Sequence, residues 1–513
     1  VENNLYGLDI DNRAAQLAYF AVMMKARQYD RRFLTRGIRP HIFAIAESNG
    51  LDPHTVNYFV GGDEGLKNDF SSLVHDLHDA KEYGSILRIS PVNFSALYAR
   101  LAAVEKEGSF DALAVQSTVL PLVQVAEVLS QQYDVVVTNP PYMGSSGMSA
   151  KLSDYVKNNY PDSKSDLFAV FIERCGQMTG QNRYQAMITQ HAWMFLSSFE
   201  KLRKKLLQSI EVVNMAHLGA RAFDEIGGEV VQTTSFVFRN VFDKGYCGTY
   251  SRLLEPTTQQ GKEELFLSGQ NRYTAQQTNF SKIPGSPIAY WVSDSLMDVF
   301  NFSKLRDFAR PVTGMATTNN ELFTRLWFEV CIKDEKFDCK EKFDGIESKA
   351  KWFPYNKGGE YRKWYGNNDF IVNWKNDGEE LKRYTQGATG GRMLGLEYFF
   401  KRCLTWSMIT SNVTSFRYKS EGSILSNAGP SCYTEDNLLY LLGLLNSTVV
   451  TLILKTINPT INTKVGDIAN IPALVDKNQK VFVNSMVQEN ITISKIDWDS
   501  YETSWDFKKH PLI

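Results

Sequence analysis

Cysteine is scarce and unpatterned in this chain: six occur in 513 residues, at 175, 247, 331, 339, 403 and 432, with no Cys-x-x-Cys pair and no regular spacing. Neither a disulfide framework nor a zinc ribbon can be built from them, and a reducing compartment suits them best. No run of about 18 apolar residues is present, so a membrane span is not expected. The opening residues Val1-Glu-Asn-Asn4 offer acid and amide where a signal peptide would carry lysine. These absences predict a soluble, cytoplasmic protein with no membrane contact. Charge of one sign is lacking too: the formal net charge is -1, so a nucleic-acid surface would have to be a local cluster of Lys and Arg. Internal repeats, low-complexity tracts, a P-loop and a Ser-His-Asp elbow are all missing. No Pro-Asp with a trailing Glu-x-Lys marks a nuclease, so strand cleavage is not expected. What the chain does have is material for cores, 43% hydrophobic and 12% aromatic residues, enough for roughly two to four domains.

Its first half alternates strand-like and helix-like segments. Asn4 to Asp11 reads as a short strand ending in acids, and the alanine-rich stretch from Arg13 to Lys25 as a helix. Residues from about 26 to 80 look like a mostly helical insertion, and Pro121 to Ser130 like a helix opening on proline. Tyr133-Asp-Val-Val-Val-Thr138 is a β-branched run that predicts a buried strand. A helix over Asp166 to Met178, a strand over Tyr184 to Thr189, a helix over Phe199 to Ile210 and strands over Glu211 to Leu218 and Val230 to Phe238 follow. This order predicts a doubly wound, mostly parallel α/β sheet over residues 1–240. Residues 241–290, rich in Gln, Thr, Ser and Gly, read as a linker, 291–472 as a mixed α+β module and 473–513 as a tail.

The loop after the β-branched run is Asn139-Pro-Pro-Tyr142. An exocyclic amino group on adenine is a weak nucleophile because its lone pair is delocalised into the ring. Two convergent acceptors localise that pair: the Asn139 side-chain oxygen and the Pro140 carbonyl, on a loop that Pro140 and Pro141 hold extended. Tyr142 would stack on the base, which has to leave the duplex to be reached. The plain alternative is a surface turn, since Asn-Pro and Pro-Pro are turn formers. Position favours the catalytic reading, because open α/β sheets place ligands at the carboxyl ends of their strands. A cytosine-C5 route needs a Pro-Cys nucleophile, which is absent, and cytosine-N4 enzymes usually carry Ser in place of Asn139.

Longer stretches narrow the assignment: Glu2 to Asp11, Trp193 to Arg203, His217 to Glu229 and Glu502 to Pro511. With the Asn-Pro-Pro-Tyr loop they resemble, across essentially the whole chain, the PglX-type adenine-specific DNA methyltransferases of the BREX phage-defence system. The resemblance implies S-adenosylmethionine as cofactor, a Rossmann-like methyltransferase sheet followed by a target recognition domain, double-stranded DNA as partner and contact with other phage-defence proteins. It also implies that Asp9 binds the cofactor ribose, that Ile10 lies beside the cofactor's adenine and that Phe223 packs on the flipped base. Asp166 would open the helix lining the cofactor pocket, and Ser85 would stand where the family has an acid. Each has a plainer role open to it: helix caps for Asp9, Asp11 and Asp166, and an ordinary core position for Phe223. The family's glycine-rich loop and first strand are expected before Leu5 and do not occur in residues 1–4, so this piece is expected to lack half of the cofactor pocket and to be inactive alone. The competing function is a non-catalytic DNA-binding specificity or scaffold subunit.

In the later module, Lys351 to Tyr365 interleaves four basic residues with six aromatics around Gly358-Gly359. That mixture suits phosphate contact with packing on sugar or base, and it suits equally a hairpin whose aromatics face a core. Lys351, Lys357, Arg362, Lys363, Lys401, Arg402 and Arg417 are the candidate DNA contacts. His75 and His78 share a helical spacing but have no third ligand nearby, so no metal is expected.

Overall fold

Asp11 ends one element and starts the next. Its side chain accepts the N–H groups of Arg13 and Ala14 at 2.7 and 3.4 Å, turning strand β1 (Tyr6–Asp9) into helix α1 (Asn12–Tyr29). Strand β2 (His41–Ala44) lies parallel to β1, with Gly7 opposite Ile42. The stretch expected as a helical insertion thus contains a strand. Helices α2 (Pro53–Val60), α3 (Glu64–Asp76), α4 (Ala80–Tyr83), α5 (Phe94–Glu107) and α6 (Phe110–Ser130) follow and share a core built on Phe59, Phe70, Leu97, Leu101, Val119 and Val123. Pro121 does not open α6 but sits inside it. The lost backbone bond is tolerated because nine residues of α6 are buried and Ser109 caps its true start. By length and composition α6 could cross a membrane, as could the bent pair of helices Leu438–Leu445 and Thr448–Ile457; half of the most apolar window of α6 is buried against its neighbours.

The chain continues through β3 (Tyr133–Thr138), α7 (Ala150–Asn159), α8 (Leu167–Met178), β4 (Thr179–Gln190), α9 (Glu200–Ser209), β5 (Glu211–Gly219), β6 (Thr233–Arg239), β7 (Cys247–Arg252), α10 (Gln259–Ser268) and β8 (Arg272–Gln276). This is a computed structural model, and it describes residues 1–223, 231–387, 391–410, 413–458, 460–510 and 512–513. The expected strand start at Val230 and the end of the His217 to Glu229 motif, from position 224 on, lie outside the described residues. Among the described residues, six strands form one sheet in the order β3-β4-β6-β5-β7-β8. β3 and β4 are parallel, as are β5 and β7, whereas β6 runs antiparallel to both β4 and β5, and β8 antiparallel to β7. The expectation of a mostly parallel sheet is corrected to a mixed one, because β6 lies between β4 and β5 and runs opposite to both. Residues 241–277 are also no linker. They carry β7, α10 and β8, and polar residues such as Ser251, Lys262 and Gln277 are buried among them.

The chain folds as two compact units, residues 1–193 with 201–277, and residues 194–200 with 278–513. The second contains β9 (Arg310–Val312), β10 (Thr324–Leu326), β11 (Trp352–Asn356), β12 (Phe370–Asn373), β13 (Cys403–Trp406), β14 (Phe416–Lys419), β15 (Ile424–Leu425) and β16 (Ser431–Tyr433). They form two sheets, β10-β12-β11-β15 and β14-β13-β16-β9. Phe353, Tyr355, Trp374 and Phe400 fill one core, while Trp406, Phe416, Leu441, Ile453, Val487 and Ile491 fill another. The last of these residues belong to helix Lys480–Asp499, so the expected tail is part of the unit, held by an apolar stripe.

Candidate active site

β3 delivers the Asn-Pro-Pro-Tyr loop to the end of the sheet. Thr138 lies opposite Met187 of β4, and the chain then leaves with Asn139 exposed and Pro140 buried. The Tyr142 hydroxyl donates to the Ile188 carbonyl at 3.4 Å and lies 3.5 Å from Asn139 Oδ1. Its ring meets Phe168 edge to face, centroids 6.1 Å apart. Burial raises the Tyr142 pKa, keeping the hydroxyl a donor. Asp166 fixes the far side of the loop: its Oδ1 accepts the Met143 N–H at 3.1 Å and the Phe168 N–H at 3.3 Å, capping α8. The Leu167 N–H donates back to the Met143 carbonyl at 2.9 Å. Asp166 therefore works as cap and loop anchor together, and burial raises its pKa. These bonds hold the loop, while the exposed Asn139 amide makes only the long contact to Tyr142 among the described residues.

At the end of β1, Asp9 Oδ1 accepts the Asp11 N–H at 2.9 Å, and Asp9 and Ile10 are both exposed. A Cβ placed on Gly84 would lie 3.5 Å from Ile10 Cδ1, which brings the Gly84-Ser85 turn beside them. A cleft of about 240 Å³ opens next to this group, lined by Tyr6, Leu8, Ser85, Tyr133, Val137 and Phe171. β1 and β3 face each other across it without pairing, although the Tyr6 and Tyr133 rings approach to 5.4 Å. The expectation that β3 is buried is corrected: Val135 is 55% and Val137 71% exposed, because among the described residues β3 has a strand neighbour on one side only. Phe223 follows β5 and is half-buried.

Sequence reasoning missed a buried pair at the same end of the sheet. His191, just past β4, and His217 of β5 face each other with Nδ1 and Nε2 2.8 Å apart. Burial holds both neutral, pushing His191 down to about 4 and His217 well below its usual value. No spacing signal links residues on separate strands. His75 and His78 instead lie beside Asp76 and Asp79, and among the described residues no cluster of three metal-binding side chains exists.

The candidate DNA contacts separate into distinct groups. Arg417 is only 1% exposed, bonded to the Arg362 carbonyl and Ser407 Oγ, and burial pulls its pKa down to about 10. It is a core residue of β14, and its assignment as a phosphate contact is withdrawn. Arg362 is ion-paired with Asp497 at 2.9 Å, and Lys363 donates to the Asn446 carbonyl at 2.8 Å. Lys357 lies over the Phe370 ring at 4.3 Å and Lys351 over Trp352 at 5.3 Å. Trp352, Phe353 and Tyr355 face a core, as the hairpin alternative has it. Lys401 and Arg402 are exposed.

The family model described as Eco57I restriction-modification methylase matches residues 3–223. An adenine-specific methyltransferase PglX of Lacticaseibacillus casei (strain Zhang) is 40% identical over 535 residues, covering 100% of this chain and 44% of that protein. An adenine-specific methyltransferase BrxX of Escherichia coli O9:H4 (strain HS) is 36% identical over 545 residues, with the same 100% and 44% coverage. The chain thus spans less than half the length of these curated relatives. Among solved structures, the Type IIL restriction-modification enzyme MmeI in complex with DNA superposes with a TM-score of 0.52, covering 75% of this chain and 51% of the other at 12% identity. A nuclease-deletion mutant of the Type ISP restriction-modification enzyme LlaGI, in complex with a DNA substrate mimic, gives 0.50 over 96% and 52% at 11% identity. These two likenesses show a shared fold. Identity of 36–40% with matches that cover the whole of this chain, the loop and both units included, means that the chain belongs to the PglX and BrxX family of adenine-specific methyltransferases.

Proposed function

We propose that this chain is the part of a site-specific DNA methyltransferase that holds a flipped adenine and the adenosine half of S-adenosylmethionine, within a phage-defence system, with residues 278–513 reading the site. The observation that carries the reading is the exposed Asn139 on a fixed loop at the carboxyl end of β3. There the Asn139 amide is exposed, Pro140 is buried, and Tyr142 is tied to the neighbouring strand. The Asn139 Oδ1 and the Pro140 carbonyl accept the two hydrogens of the adenine amino group, drawing its lone pair out of conjugation with the ring. Tyr142 and, on the opposite face, Phe223 sandwich the base and replace the stacking lost on flipping. The amino nitrogen, so held, would take the methyl as the donor's S–C bond breaks to leave a neutral thioether, and its surplus proton would pass to solvent at the exposed loop.

The residues at the end of β1 fit the cofactor's adenosine. Asp9 offers a carboxylate with one oxygen free of protein partners among the described residues, Ile10 an exposed apolar face, and Ser85 a hydroxyl at the cleft. When bound, S-adenosylmethionine supplies an electrophilic methyl on a sulfonium. The unpaired facing edges of β1 and β3 support a further point: a strand from chain outside residues 1–513 completes the sheet there and brings the wall that holds the cofactor's methionine end. Asn139→Ala in the full-length protein is expected to lower methyl transfer at least roughly 100-fold, the scale of losing one preorganised polar group, with DNA binding intact. A variant that still methylated adenine at the normal rate would remove Asn139 from the chemistry.

A further inference from the structure

Residues 278–513 hold a hollow of about 410 Å³ in which four cations from three separate segments meet: Arg310 of β9, Lys340, and Lys401 with Arg402 just before β13. Tyr398 forms its floor. The Arg310 guanidinium and the Lys401 ammonium each lie 5.6 Å from the Tyr398 ring centroid, and Tyr398 packs on Tyr433 with centroids 4.5 Å apart. Backbone geometry builds the cluster. Tyr433 pairs with Arg310 between β16 and β9, and Phe400, at φ 68, turns the chain so that Lys401 and Arg402 face the same hollow.

The ion pairs of this unit are made by other residues, namely Lys336, Lys342, Arg362, Lys382, Arg383 and Lys495. Among the described residues none of the four cations of the hollow is in an ion pair, although the charge of Lys340 is felt by Asp338 and Glu421 and Glu435 also line the hollow. Packing on an aromatic face orients a cationic head without neutralising it. Like charges gathered in this way repel until the phosphates of a polyanion neutralise them, an exchange that releases the polyanion's own condensed cations into solution. The larger hollow nearby, of about 870 Å³, shares Lys340 and Arg402 with this one, and its other cations are matched: Lys495 by Asp499 and Asp506, while Lys419 is buried against Asn368.

We propose that Arg310, Lys340, Lys401 and Arg402 grip successive phosphates of the DNA backbone and set the position of the duplex without reading bases. This rests on the chain being part of a DNA methyltransferase. The test is a titration of duplex DNA with full-length protein over a range of salt, comparing wild type, a Lys401→Ala/Arg402→Ala double variant, a charge-conserving Lys401→Arg/Arg402→Lys variant and an exposed control, Lys477→Ala. The double alanine variant is expected to bind on the order of tenfold more weakly at low salt, and its log Kd against log salt slope to fall by about 0.9 for each phosphate it no longer neutralises. The charge-conserving variant and the control keep the wild-type slope, and the methylated sequence is unchanged in all. An unchanged slope in the double alanine variant, or a changed preferred sequence, overturns the phosphate grip while leaving the methyltransferase reading standing. Failure of the wild type itself to bind DNA overturns both.

Discussion

The His191 and His217 rings share one hydrogen bond inside the protein, and their burial makes stability depend on pH. Both are held neutral, with folded-state pKa values below the usual 6.5 and His191 at about 4. A depressed value means that the stabilisation is fully present above pH 6.5 and is lost as pH falls towards 4, because the unfolded chain takes up protons that the folded one refuses. Unfolding free energy is expected to fall by up to about 1.4 kcal/mol per pH unit for each histidine through that window. Replacing both with glutamine should flatten this slope in denaturant melts, and an equally steep slope in that variant would show other groups to be responsible. At this scale the sequence was informative where chemistry is local. Asp11 and Asp166 could be read as caps and act as such, because a cap needs only its next few residues. Arg417 could not be read. Its strand alternates like an exposed basic one, and only packing shows the guanidinium to be inside.

Among the elements, β5 and β7 show how closely parallel strands can be required to approach. A Cβ on Gly248 of β7 would collide with the Val212 carbonyl of β5. Gly248→Ala is therefore expected to cost about 1–3 kcal/mol and to lower the melting temperature by several degrees, with the Asn139 loop unaffected. A melt identical to wild type would mean that the strands separate freely. Existence and type of most helices and strands up to β6 were legible from their hydrophobic period. Their partners were not. The polar composition of 241–290 hid β7 and β8: β8 is an edge strand half-exposed to water, and β7, Cys-Gly-Thr-Tyr-Ser-Arg, buries Gly248 and Ser251 and so carries little apolar signal. Pro121 suggested a helix start, but α6 runs through it because tertiary burial outweighs one missing backbone bond.

For the whole molecule, the open cleft between β1 and β3 is the controlling feature. If a wall for it comes from chain outside residues 1–513, calorimetry should show S-adenosylmethionine binding tightly to full-length protein and far more weakly, or not at all, to residues 1–513. Equal affinity for both would mean that Asp9, Ile10 and Ser85 suffice. The sequence by itself determined the local chemistry: an amide, a fixed carbonyl and an aromatic on one loop, because covalent neighbours and proline geometry confine them wherever the chain goes. Tertiary structure alone decided which strands are paired and which are open, which cations are buried and which converge around Tyr398. Those outcomes depend on residues brought together from distant segments, whose water and charge are removed or left in place only when the sheets and cores close.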